Sequence, residues 1–155
     1  MSEFPKEAQC VVIGAGIVGN CLVSHLSDMG WTDIVLLDKG PLPNPGGSTG
    51  HASNFIFPVD HSKEIVDLTL ESQRQYEEMG LQNTCGGIEV ARTPERMEEF
   101  KHVCSMGKQM GVEFEMLTNS QIQELHPYIE THDLEGGQWD PLDGDIDPAQ
   151  LTQAL

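Results

Sequence analysis

An α/β fold is what this 155-residue sequence predicts, and three observations in its first forty residues carry that expectation. A short β-branched run, Cys10-Val11-Val12-Ile13, ends in G-x-G-x-x-G at Gly14, Gly16 and Gly19. Helical periodicity follows from about Ala15 to Met29. A second apolar run, Ile34-Val35-Leu36-Leu37, then ends at an acid, Asp38. Strand, glycine turn, helix, strand and acid in this order read as a βαβ unit that binds a dinucleotide.

Each element has its own reason. The first run is too short for a helix and reads as a buried parallel strand. Gly14 permits a tight turn, Gly16 lets a pyrophosphate approach the backbone, and Gly19 lets the helix close onto the strand. Within the helix Val18, Leu22, His25, Leu26 and Met29 recur on one expected face, and Gly30 is a natural stop. Asp38 follows the glycines at about the 20-residue distance where this fold holds the acid that accepts hydrogen bonds from a ribose diol. The motif by itself leaves NAD and FAD equally open.

Composition narrows the function classes. The chain carries 25 acidic and 8 basic residues, a formal charge of −17, which disfavours nucleic acid and anionic membranes as partners. Cys10, Cys21, Cys85 and Cys104 show no C-x-x-C spacing and read as reduced structural thiols, so no metal site is expected. The first residues, Met1 to Glu7, have neither a basic nor an apolar leader region, and a cytoplasmic protein is expected.

Beyond Asp38-Lys39-Gly40, Pro41 to Gly47 reads as a loop. Ser48 is expected to cap a short helix whose N–H groups point at an anion. His51 by itself reads most simply as a loop histidine with one satisfied hydrogen bond. A helix is expected from Lys63 to Met79, capped by Ser62, with Ile65, Leu68, Ser72, Tyr76 and Met79 on its packing face and His61 at the surface before it. A strand at Ile88–Arg92 leads to a helix with Thr93 as N-cap and Pro94 at its first position, using Met97, Phe100, Val103, Cys104 and Met106. A strand at Glu113–Leu117 precedes a short helix with a capping box at Ser120 to Gln123. Gly136 to Trp139 reads as a strand, and Asp147-Pro148 opens a last helix through Leu151 and Leu155. Turns and caps account for Asp140, Asp143, Asp145 and Asp147 better than a calcium loop does, because Pro141 intervenes and no downstream Glu completes one. His102, His126 and His132 are assigned no chemistry.

Gly47-Ser48-Thr49-Gly50-His51-Ala52 resembles the G-S-T-x-H-A segment of the dimethylglycine and sarcosine dehydrogenase/oxidase family, flavoenzymes of the D-amino-acid oxidase type. The stretch G-G-x-x-x-P-x-D-G-x-x-D-P-x-x-L-x-x-A-L near the end resembles the same superfamily. The resemblance implies FAD as cofactor, with His51 joined covalently to the flavin 8α-methyl. It implies that Ser48 and Thr49 contact the pyrophosphate or the flavin edge, and Asp38 and Lys39 the ribose region. Gly14, Gly16, Ile17, Val18 and Gly19 at the turn, with Ala52 and Asn54 after the histidine, complete the expected cofactor-binding set. The chain departs from the family at Gly50, where a bulky residue is usual, and at Asn54, where a glycine is usual; Asn tolerates left-handed φ well.

What the resemblance implies about activity is oxidation of an N-methylated glycine or a similar small methylated amine. A hydride equivalent passes from the N-methyl carbon to flavin N5, and the resulting iminium hydrolyses to formaldehyde and the demethylated amine or yields its one-carbon unit to folate. The electron acceptor stays open, and so do a flavin-fold regulatory subunit without turnover, a flavin oxidase of another amine, and an NAD-binding domain. The expected organisation is a βαβ unit and flavin loop over 1–60, the start of a mixed α+β substrate domain over 61–145, and a helix returning to the FAD domain over 146–155. In the family the remaining strands, the catalytic residues and often a folate-binding region lie further on. The chain is therefore expected to be the N-terminal part of a longer protein, with no catalytic residue in this segment.

Overall fold

The computed structural model describes residues 5–41, 46–60 and 62–155. Most of the expected loop at 41–47, the first four residues and His61 lie outside the described residues. The chain divides into two compact units, one of residues 1–54 and 146–155 and the other of residues 55–145.

In the first unit β1 (Cys10–Ile13) and β2 (Ile34–Leu37) pair in parallel, Cys10 opposite Ile34 and Ile13 opposite Leu37. The helix α1 (Ile17–Asp28) crosses between them, and its C-cap Met29 donates its N–H to the His25 carbonyl. Two expectations are corrected here. β1 is covered on one face only: Val12 is buried, whereas Val11 and Ile13 on the other face are 53% and 86% exposed. The expected packing face of α1 is also displaced, since Val18, Leu22 and Met29 are exposed and Gly19 is the buried position. A helix that must touch the turn preceding it turns its smallest residue inward, whatever its apolar stripe prefers.

The second unit holds two antiparallel sheets. β3 (Phe55–Ile56) and β4 (Asn83–Thr84) flank β8 (Gly144–Asp145), and β5 (Gly87–Ala91) and β6 (Glu115–Leu117) flank β7 (Gly136–Asp140). The helix α2 (Lys63–Glu78) begins after Ser62, whose hydroxyl bonds the Glu64 carboxylate at 2.6 Å instead of capping a backbone N–H. Its buried positions are Val66 and Gln73, while Ile65, Leu68 and Met79 of the expected face are exposed. The Gln73 amide donates to the Leu142 carbonyl at 2.8 Å, so a polar residue is drawn inside to satisfy a backbone group.

The helix α3 (Pro94–Gln109) starts as its sequence predicts: the Thr93 hydroxyl accepts the Arg96 N–H, and Phe100 is buried. For α4 (Asn119–Leu125) the capping box belongs to Thr118 and Gln121, not to Ser120 and Gln123. Both frames fit the S/T-x-x-E/Q pattern, and Thr118 wins because it follows β6 directly in extended backbone. Leu117, Ile122 and Leu134 form the core of this face, with Ile88, Ile129 and Trp139 against it. Back in the first unit, α5 (Pro148–Ala154) is capped by Asp147 Oδ1, which accepts the Ala149 N–H at 2.8 Å and the Gln150 N–H at 3.3 Å. No helix among the described residues is long and apolar enough to cross a membrane.

Candidate functional site: the glycine turn and its acid

The turn between β1 and α1 is set by two glycines that depend on one another. The Gly14 N–H extends the parallel ladder by donating to the Leu37 carbonyl at 2.7 Å, and Gly14 then adopts φ +110°, a conformation L side chains rarely adopt. Gly19 packs on the carbonyl this turn exposes: a Cβ at position 19 would lie 1.8 Å from the Gly14 oxygen. Helix and turn can approach this closely only because neither residue carries a side chain.

Gly16 is the extended N-cap of α1 and has no side chain to cap it. The first N–H groups of a helix lack intrahelical acceptors and carry its positive end. One of them, on Ile17, donates to Thr49 Oγ1 at 3.0 Å, a cap supplied from 32 residues away. A Cβ on Gly16 would stand 2.9 Å from the same oxygen. The Asn20 side chain, which the sequence reading overlooked, donates to the Ala15 and Gly16 carbonyls at 2.7 and 3.0 Å and ties the helix start to the turn. Its signal was a lone amide directly after the third glycine.

Asp38 closes the site. Its Oδ2 accepts the Ala15 N–H at 2.8 Å and its Oδ1 the Gly40 N–H at 2.7 Å. These bonds, Ala15 first, hold its carboxyl below the usual carboxylate range. Each oxygen retains a lone pair for a further donor such as a ribose hydroxyl.

The G-S-T-G-H-A segment forms a 3-10 turn, Thr49–His51, closed by His51 N–H to the Ser48 carbonyl at 3.2 Å and Ala52 N–H to the Thr49 carbonyl at 3.3 Å. The expected Ser48 cap is absent: Ser48 has helical backbone angles and its side chain caps no N–H. The helix end available to an anion is that of α1. His51 is exposed, and its Nδ1 lies 2.7 Å from the Gly47 carbonyl. A carbonyl only accepts, so Nδ1 carries the hydrogen and, in the neutral ring, Nε2 keeps the free lone pair. Asn54, at φ +70°, is the one non-glycine residue with positive φ among the described residues. Its carbonyl accepts the Ile146 N–H at 3.0 Å, tying the returning segment to the loop.

Hydrogen bonds thus bring Ala15, Ile17, Asp38 and Thr49 together around the glycines. Val18, Lys39, Ser48, His51, Ala52 and Asn54 are exposed. The bare backbone at Gly14 and Gly16, the helix start and an acid with spare lone pairs fit the pyrophosphate and ribose of a dinucleotide such as FAD.

The model of the family described as FAD dependent oxidoreductase (DAO) matches residues 9–155. The chain belongs to that family. The chain is 36% identical over 160 residues to the mitochondrial dimethylglycine dehydrogenase of Rattus norvegicus, covering 99% of this chain and 18% of that protein. It is 34% identical over 159 residues to the mitochondrial pyruvate dehydrogenase phosphatase regulatory subunit of Mus musculus, covering 98% of this chain and 18% of that protein. The chain therefore spans about a fifth of the length of these relatives. The crystal structure of L-proline dehydrogenase from P. horikoshii matches with a TM-score of 0.87 at 24% identity, covering 97% of this chain and 41% of that one, and shares the fold.

Proposed function

We propose that this chain is the nucleotide-binding part of an FAD-dependent enzyme that oxidises the N-methyl group of dimethylglycine, sarcosine or a similar methylated amine. The observation that carries the reading is the Ile17–Thr49 bond, which fastens the histidine-bearing segment to the start of α1. The identity with dimethylglycine dehydrogenase supports the choice of substrate class. FAD, when bound, supplies the two-electron acceptor for the N-methyl C–H bond.

The chain's own residues support this reading as follows. Gly14 and Gly16 leave backbone open to a pyrophosphate, the α1 N-terminus offers it N–H donors, and Asp38 accepts from the ribose. Were the flavin attached here, His51 Nε2 is the atom that would hold its methyl group. The Gly47 carbonyl holds the Nδ1 hydrogen and thereby raises the nucleophilicity of Nε2. Such a bond prevents cofactor loss.

A second reading, a regulatory subunit of the same fold without turnover, is supported by the identity with the phosphatase regulatory subunit. Acid denaturation of the purified intact protein separates the two. Yellow colour that stays in the pellet, and leaves it in His51→Ala, is the expected result; colour released to the supernatant overturns the tether, and a colourless protein favours the regulatory reading. Bleaching of the colour by dimethylglycine or sarcosine under anaerobic conditions then tests turnover.

A further inference from the structure

Consecutive N–H groups from Gly14 to Ile17 run through the turn between β1 and α1, and all but one of them are taken. Gly14 donates to the Leu37 carbonyl at 2.7 Å, Ala15 to Asp38 Oδ2 at 2.8 Å and Ile17 to Thr49 Oγ1 at 3.0 Å. The Gly16 N–H donates to no acceptor among the described residues. A backbone N–H without a protein partner is left for water or a ligand.

The direction of that N–H is set from behind. In a trans peptide the C=O and N–H point opposite ways, so whatever holds the Ala15 carbonyl also aims the Gly16 N–H. The Ala15 carbonyl is held by the Asn20 side chain, whose Nδ2 donates to it at 2.7 Å. This bond spans five residues, one more than the helical repeat, so helix formation does not supply it. The Gly16 carbonyl differs: it accepts the Asn20 backbone N–H at 3.0 Å in the ordinary helical manner, and the side chain only adds a second donor at 3.0 Å. The peptide between Ala15 and Gly16 is therefore the one whose orientation the side chain decides. Gly16 is the N-cap of α1, and its N–H, aimed away from Asn20, faces out from the positive end of the helix. Asparagine is a weak helix former, and its place in the first turn of α1 is explained by what its amide holds.

We propose that Asn20 is a positioning residue for the cofactor: by holding the Ala15 carbonyl it presents the Gly16 N–H to a phosphate of the dinucleotide. The proposal rests on the reading that the dinucleotide pyrophosphate lies at this turn. A hydrogen bond to a charged oxygen is worth about tenfold or more in affinity, and a peptide free to rotate gives up most of that gain.

Calorimetric titration with ADP of the intact protein, purified flavin-free from riboflavin-starved cells, tests the proposal, with adenosine measured by its competition against ADP. Wild type is expected to bind ADP. Asn20→Ala should bind it about tenfold more weakly with adenosine affinity unchanged, because only the phosphates meet the Gly16 N–H. A merely structural role for Asn20 would lower unfolding stability and leave the ratio of the two affinities as it is. Asn20→Ser is the sharper variant. A helical serine hydroxyl reaches the carbonyl of Gly16 and not that of Ala15, so this protein should match Asn20→Ala. A folded Asn20→Ala protein with an unchanged ratio, or recovery of the ratio in Asn20→Ser, overturns the assignment. Hydrogen exchange of the wild type, read at single residues, decides even if the variants do not fold. The Gly16 amide should exchange freely without nucleotide and slow about tenfold or more in saturating ADP, but not in adenosine. A Gly16 amide indifferent to ADP overturns the proposal, and a wild type that binds no ADP overturns the nucleotide reading along with it.

Discussion

Gly19→Ala is the sharpest test of how the nucleotide turn is built. The new Cβ would meet the Gly14 carbonyl oxygen at 1.8 Å and its carbon at 3.0 Å, with the Leu36 side chain at 3.6 Å beyond. The obstructing atoms are backbone, and that backbone is fixed by the Gly14–Leu37 hydrogen bond, so relief requires moving α1 or breaking the ladder. Overpacking of this kind costs ~1–3 kcal/mol, and a clash against backbone belongs at the upper end. Alanine recovers ~1 kcal/mol through its helix propensity. The net cost is about 2 kcal/mol, equivalent to a roughly 30-fold loss of protection for amides that exchange through opening of this unit. Hydrogen exchange of the Cys10–Ile13 and Ile34–Leu37 amides reads this directly, with the β5–β7 ladder as the internal control. Gly16→Ala should cost less, because the Thr49 hydroxyl it meets at 2.9 Å sits on a rotatable side chain. Unchanged protection of β1 and β2 in Gly19→Ala would refute the mutual packing of turn and helix.

Two further outcomes follow from individual groups. Asp147→Ala removes an acceptor shared by the Ala149 and Gln150 N–H groups and should cost ~1 kcal/mol in urea unfolding, most of it regained by Asp147→Ser. Asp143, pushed up to about 8 by burial and then by the Asp140 carboxyl, is protonated more readily in the folded chain than in the unfolded one, so the folded state binds the extra proton and the contribution of Asp143 to stability falls as pH rises from about 4 to about 8. Asp143→Asn removes that dependence; its stability relative to wild type should climb across this window and level off above it. A difference between the two proteins that stays flat with pH would show that Asp143 is not held in its protonated form.

The sequence by itself determined those parts of the molecule whose causes are local. The strand–turn–helix–strand order, the N-caps Thr93 and Asp147 with their prolines, and the acid after β2 are each specified within a few residues, and each stands where its motif predicts. Asn54 likewise adopts the left-handed conformation its residue type tolerates. Which face of a helix is buried was decided elsewhere. The apolar stripes of α1 and α2 pointed to Val18, Leu22, Ile65 and Leu68, yet Gly19 and Gln73 went inside. The partners that demanded them, a turn carbonyl and the carbonyl of Leu142, are not encoded in helical periodicity. The same holds for Thr49, whose hydroxyl caps a helix 32 residues earlier, and for Ser48, whose own backbone conformation forbids the cap its residue type allows. Asp140 and Asp143 read as turn residues along the chain; the close approach of Gly87 and the helix α3 turns them into a buried carboxyl pair. Short-range hydrogen bonding is written in neighbouring residues, whereas burial and unmet hydrogen bonds depend on what the rest of the chain brings alongside.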